Sequence, residues 1–134
     1  MRLLVQIGLV ALGSSLGGLM RWGVGIAAAR WIGSALPYGT FFINVSGSLF
    51  LGWFLTVLAD KVVSHQSTWL RAEDLRMLFA VGFAGSYTTF STFEWESNCL
   101  LRDGQGFAGA TYILGSVLIG LIAIRAGILL ARLM

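Results

Sequence analysis

The side chains best equipped for chemistry in this sequence are hydrogen-bond donors set inside long apolar runs. The block GFAGSYTTFSTF, residues 82 to 93, carries six hydroxyls in twelve residues: Ser86, Tyr87, Thr88, Thr89, Ser91 and Thr92. In an earlier run Thr40, Asn44 and Ser48 recur at every fourth position, and in the last run Tyr112, Ser116 and Gly120 do the same. That spacing puts each trio on one helix face. An Asn without a partner in hydrocarbon costs on the order of a few kcal/mol, so its face must look into protein or water. Taken alone, each stripe suits a hydrogen bond gluing two helices as well as it suits a polar path. Together with the block they make three polar surfaces converging on one place.

This donor set favours an anion over a cation. Hydroxyls point either way, but Asn44 supplies an NH2 group, Arg21 a fixed positive charge, and phenylalanine rings a positive edge. Phe90 and Phe93 are three apart and share a helix face, although any such pair by itself is more often plain core. No general base stands near a Ser or Thr nucleophile, and no cluster of Asp, Glu, His or Cys suits a catalytic metal, so the reading is not an enzyme. The single Cys99 excludes an internal disulfide, and His65, in the polar stretch DKVVSHQSTWLRAED, reads as a solvated loop residue. The block also predicts a broken helix: Gly82 and Gly85 loosen the backbone, and Thr88 and Thr89 compete for its carbonyls. A break inside a membrane survives only where protein or water satisfies the freed groups, and freed carbonyls can hold a small monovalent cation.

The elements that must position these residues follow from composition. Of 134 residues, 57% are hydrophobic and 11% charged, with a mean hydropathy of +0.82. A soluble domain of this size has too little interior to hide that much apolar surface. The chain reads as an all-α integral membrane protein, one four-helix transmembrane domain over 1–134 with approximate spans 3–29, 38–59, 75–101 and 106–131. The first span is charged only at Arg21, the second nowhere, and the last only at Arg125 near its end, with Arg132 just beyond it. Each is long enough to cross about 30 Å of hydrocarbon. The third holds Arg76, Glu94 and Glu96 around the hydroxyl block, so it is interrupted or sheltered from lipid. Pro37 punctuates the entry to the second span. The first apolar run is too long for a cleaved signal peptide.

Four crossings put both termini on one side. That side collects Arg2, Lys61, Arg71, Arg76 and Arg132 against Arg30 and Arg102 on the other. The excess favours cytoplasmic termini but is weak enough to allow insertion in both orientations. Glycine occurs 18 times, with Gly13 and Gly17, Ser48 and Gly52, and Ser116 and Gly120 each four apart and Gly115 beside the last pair. Small residues at this spacing let membrane helices approach closely, within one bundle or between chains. Because four short helices enclose little volume, a polar pathway calls for at least a homodimer.

The sequence resembles the Fluc/CrcB family of small fluoride channels over almost its whole length. The resemblance rests on GGLMRW at 17 to 22, GTFFINVSG at 39 to 47 and, most specifically, GFAGSYTTFSTFEWE at 82 to 96. It implies an antiparallel homodimer of dual-topology subunits in the bacterial inner membrane, with two fluoride pathways built from both chains. It implies a structural Na+ at the dimer centre, held by the backbone carbonyls of Gly85 and Thr88 where the third helix breaks near mid-membrane. By position, Phe90 and Phe93 line each pore, Asn44 faces them, and Ser91, Thr92, Tyr112, Ser116 and Glu96 form or support a polar track. Arg21 falls at a vestibule. The implied partners are fluoride, a second copy of the chain and the bilayer, with no nucleic acid.

Two positions depart from the family pattern. Ser86 stands where a second glycine is common, and Glu94 replaces a usual small residue. Glu94 repels an exiting anion if it faces the pore, or pairs with an arginine of either chain, which is the favoured reading. The implied activity is passive export of F−, whose tightly held water must be replaced by donors in a path too narrow for chloride. Two other classes remain. A proton-coupled small multidrug-type transporter needs an acid in its first helix, where the first acid here is Asp60, in a loop. A non-conducting membrane assembly subunit would use the stripes as glue.

Overall fold

The computed structural model describes residues 2–62 and 71–134, so His65 lies outside the described residues. Every regular element among the described residues is helical. Helix α1 is Arg2–Trp31, and α2 is Tyr38–Val57, running on as a wider π turn over Leu58–Val62. Helix α3, residues 72–87, comprises Ala72–Leu75, a π-wound stretch Arg76–Ala84 and a last turn Gly85–Tyr87. Helix α4 is Phe90–Arg102 and α5 is Gly106–Leu133. Three lengths, Arg2–Trp31, Tyr38–Asp60 and Gly106–Leu133, are long and apolar enough to cross a membrane. Helices α3 and α4 divide the fourth expected passage between them.

The connections follow from residues that end helices. Pro37 precedes α2, where its missing N–H costs nothing because the first amides of a helix lack partners anyway. Between α4 and α5, Gly104 takes φ 78°, Gln105 N–H reaches back to Leu100 O at 2.9 Å and Gly104 N–H to Leu101 O at 3.3 Å. This paired closure needs a left-handed residue, which glycine adopts without strain.

Packing uses small residues as membrane helices do. Gly13 and Gly17 of α1 lie against the main chain of α3, where a Cβ would collide with Leu78 O and Phe83 O. Gly52 of α2 lies against Ile124 O of α5, and Gly127 of α5 against Leu49 O of α2. A Cβ on Gly115, by contrast, would meet nothing within 4 Å. The glycines at α1–α3 and α2–α5 are therefore spent on close packing inside the protomer. Aromatic rings fill the space between α2 and α3: Phe83 stacks on Tyr87 at 5.7 Å and meets Phe50 edge-on at 5.4 Å. Large apolar side chains along α1 and α5 point outward, as a lipid-facing surface requires.

The chain leaves the helix at Thr88 (φ −76°, ψ 160°) and Thr89 (φ −150°, ψ 116°). The glycines expected to loosen it do not. Gly85 is helical, with φ −63° and ψ −31°. Gly82 also lies within the helix and is small because α1 presses on it, a Cβ there meeting Val10 O at 2.8 Å. The threonines make the break. Thr88 Oγ1 donates to Ala84 O at 2.9 Å, completing α3. Thr89 Oγ1 accepts from Thr92 N–H at 3.3 Å and so caps the start of α4.

Candidate functional site

The break is held from α2. Asn44 Nδ2 donates to Thr89 O at 3.1 Å, and Thr89 N–H donates to Asn44 Oδ1 at 2.9 Å. The side-chain amide thus copies the pairing of a neighbouring strand and satisfies both main-chain groups of one extended residue. In an unbroken helix Thr89 N–H would bond the carbonyl of Gly85. Because Asn44 takes that amide, the Gly85 carbonyl is freed. Two residues further along α2, Ser46 and Tyr87 share a hydrogen bond at 2.8 Å.

A second polar centre forms around Glu96 of α4. Thr40 Oγ1 donates to Glu96 Oε1 at 2.8 Å, and Tyr112 OH donates to Glu96 Oε2 at 2.9 Å. One carboxylate therefore joins α2, α4 and α5. Such charge-assisted bonds are the stronger kind inside a low-dielectric interior. Beside them runs a line of rings, with Phe90 and Phe93 6.1 Å apart and Phe93 and Tyr112 5.2 Å apart. Phe93 is 9% exposed, whereas Phe90 is 70% exposed at the protomer surface.

Three grooves open on these groups. A cavity of about 680 Å3 is lined by Arg21, Thr40, Thr92, Trp95, Glu96 and Cys99. At its edge Asp103 accepts a hydrogen bond from Arg102 at 2.9 Å, which with the carboxylate's charge pushes the guanidinium pKa up from its ordinary value. A groove of about 300 Å3 runs past Asn44, Ser48, Gly85, Thr88, Thr89 and Phe90. The third, about 590 Å3, is largely apolar and runs past Phe41, Phe42, Phe107, Tyr112 and Ser116. Ser116 Oγ is buried there without a hydrogen-bond partner among the described residues. A buried hydroxyl left so is costly, and this one faces a groove open to an outside acceptor or donor.

The predicted site residues therefore fall in two groups. Asn44, Phe90, Gly85 and Thr88 meet at the break and its groove, while Phe93, Tyr112 and Glu96 meet around the carboxylate. Thr92 lines the large cavity with Arg21, and its hydroxyl accepts from Thr89 Oγ1 at 2.9 Å. Ser91 is exposed on α4. Glu94 is exposed, with no hydrogen bond or ion pair to an arginine among the described residues of its own chain. Sequence reasoning missed Thr89 as the residue Asn44 holds, Thr40 as a donor to Glu96, and Ser14 as the acceptor of a hydrogen bond from Ser86 at 2.8 Å. Thr40 left a signal through its place on the Asn44 stripe and Thr89 through its place in the hydroxyl block, whereas Ser14 left none.

Fold and site together define a small all-helical multi-pass membrane protein with polar grooves inside an apolar shell. Residues 8–128 match the family described as "CrcB-like protein, Camphor Resistance (CrcB)", and the chain belongs to that family. It is 43% identical over 124 residues to "Fluoride-specific ion channel FluC" of Synechococcus sp. (strain JA-2-3B'a(2-13)), covering 92% of this chain and 90% of that one. Proteins of the same name from Chloroflexus aurantiacus (strain ATCC 29366 / DSM 635 / J-10-fl) and Solibacter usitatus (strain Ellin6076) are each 40% identical. The matches cover 92% of this chain, and 92% and 96% of theirs.

Proposed function

We propose that the protein is a fluoride channel of the bacterial inner membrane, assembled as an antiparallel homodimer with two pores and exporting F− passively. The observation that carries this reading is the line Phe90, Phe93, Tyr112, with ring separations of 6.1 and 5.2 Å, running beside hydroxyls held on Glu96. Ring edges and O–H protons are the groups that can replace water around a small anion. The large cavity shares Thr40, Thr92 and Glu96 with this track, and there Arg21 offers an entering anion a positive charge beside the carboxylates of Glu96 and Asp103. An anion that reaches Thr40 or Tyr112 competes with Glu96 for the same hydroxyl protons, so each proton stays bonded as the ion passes. The exposure of Phe90 beside the Gly85 groove supports a second copy, because a large ring there has no cover within the protomer.

A structural Na+ fits the break. The carbonyl of Gly85 has lost its helical partner to Asn44, and Gly85 and Thr88 line the same groove at the protomer surface. Uncharged carbonyl oxygens suit Na+, as in other discontinuous membrane helices. When bound, the ion would neutralise the freed carbonyl dipoles of both chains where they meet.

A liposome efflux assay tests the reading: purified protein is expected to release fluoride and retain chloride. Equal rates, or no flux of either ion, would overturn it. The proton-coupled transporter class is disfavoured because α1 contains no acidic residue.

A further inference from the structure

We infer that Ser86, hydrogen-bonded to the carbonyl of Ser14 on α1, is a positioning residue that sets the aim of the Gly85 and Thr88 carbonyls. Ser86 Oγ donates to Ser14 O at 2.8 Å, across 72 residues of sequence. It lies between the two carbonyl-bearing residues, in the last turn of α3, where the ladder of backbone bonds is about to stop. The other side of the break is held by Asn44, through Thr89. The carbonyls are thus suspended between two grips, one on α1 and one on α2.

The surroundings of Ser86 are built for this bond. Gly18 of α1 leaves the space its hydroxyl fills, since a Cβ at 18 would sit 3.3 Å from Ser86 Oγ. Ser14 Oγ reaches Gly82 O at 3.5 Å, so Ser14 contacts α3 four residues before Ser86 as well as at Ser86 itself. Gly13 and Gly17 bring α1 against the main chain of Leu78 and Phe83 and fix the height at which Ser14 meets Ser86. A glycine or alanine at 86 could not make this bond. Here the last turn of α3 is tied to α1, and rotation of that turn, which would swing the Gly85 carbonyl, is opposed.

The inference rests on the sodium reading above. The experiment takes the full chain, purified without sodium, and follows thermal melting while NaCl is added against N-methylglucamine chloride at constant ionic strength. Ser86→Ala is expected to raise the half-saturating sodium concentration about fivefold, the worth of one net hydrogen bond. Fluoride efflux at saturating sodium is expected to stay at the wild-type rate. Gly18→Ala, whose Cβ crowds the Ser86 hydroxyl, is expected to raise the half-saturating concentration too. The double variant should then be no worse than Ser86→Ala alone, because both changes act through one bond. A Ser86→Ala midpoint equal to wild type, or additive effects in the double variant, would overturn the positioning role and leave the channel reading intact. A wild-type protein whose melting ignores sodium would overturn both the sodium site and this role, while its fluoride efflux reports separately on conduction.

Discussion

Asn44 holds Thr89 by both ends of its amide, donating to the carbonyl at 3.1 Å and accepting from the N–H at 2.9 Å. One side chain thereby sets where α3 stops, which carbonyl is freed behind the break, and how Phe90 starts α4 ahead of it. Asn44→Asp keeps the acceptor for Thr89 N–H but turns a carboxylate oxygen toward Thr89 O. The expected result is a fluoride flux lowered by more than about tenfold and a loss of about 2 kcal/mol of stability, since a buried carbonyl loses its donor and faces a charge. Melting separates this role from a purely pore-lining one. A variant that melts like wild type and only conducts poorly would remove the clamp and leave Asn44 as a donor to the ion.

Phe90 and Phe93 share a ring contact at 6.1 Å but differ in burial, 70% against 9% exposed. Phe90→Ile is expected to leave the stability of the protomer nearly unchanged, and Phe93→Ile to cost about 1–2 kcal/mol through lost packing. Both are expected to cut fluoride efflux sharply while eluting like wild type in size-exclusion chromatography. Unchanged efflux in both variants would assign the rings to packing.

Much of this arrangement was legible in the chain. The apolar runs marked the helices, and the hydroxyl block marked where one of them fails. The π winding over Arg76–Ala84 was not legible, because apolar residues on all sides give no period that separates a π turn from an α turn. The cause of the break was legible in part, because Thr88 and Thr89 were expected to compete for the backbone and both bond it there. Gly82 and Gly85 carry the sequence signature of a loosened backbone, yet one is squeezed by α1 and the other stays helical. The deciding bonds, Asn44 to Thr89 and Ser86 to Ser14, join residues 45 and 72 positions apart and leave no trace in local spacing. The Glu96 centre was half visible. Glu96 and Tyr112 could be placed by resemblance, but the meeting of Thr40 and Tyr112 on one carboxylate depends on how three helices pack.

Cys99 offers a direct test of where ions enter. It is partly exposed and lines the large cavity with Arg21, Thr92 and Glu96. A sulfonate-bearing methanethiosulfonate reagent should add a fixed negative charge to this thiol, in the space where Arg21 supplies a positive one. If the cavity is the mouth of the conduction path, that adduct should lower fluoride efflux by on the order of tenfold, through blockade and the repulsion of a second anion. An ammonium-bearing reagent of similar size should block less, since its charge attracts the ion its bulk obstructs. Cys99→Ser is expected to conduct normally and ignore both reagents. Efflux that survives complete modification of Cys99, verified by mass spectrometry, would place the route of the ion outside this cavity and leave Arg21 without a part in conduction.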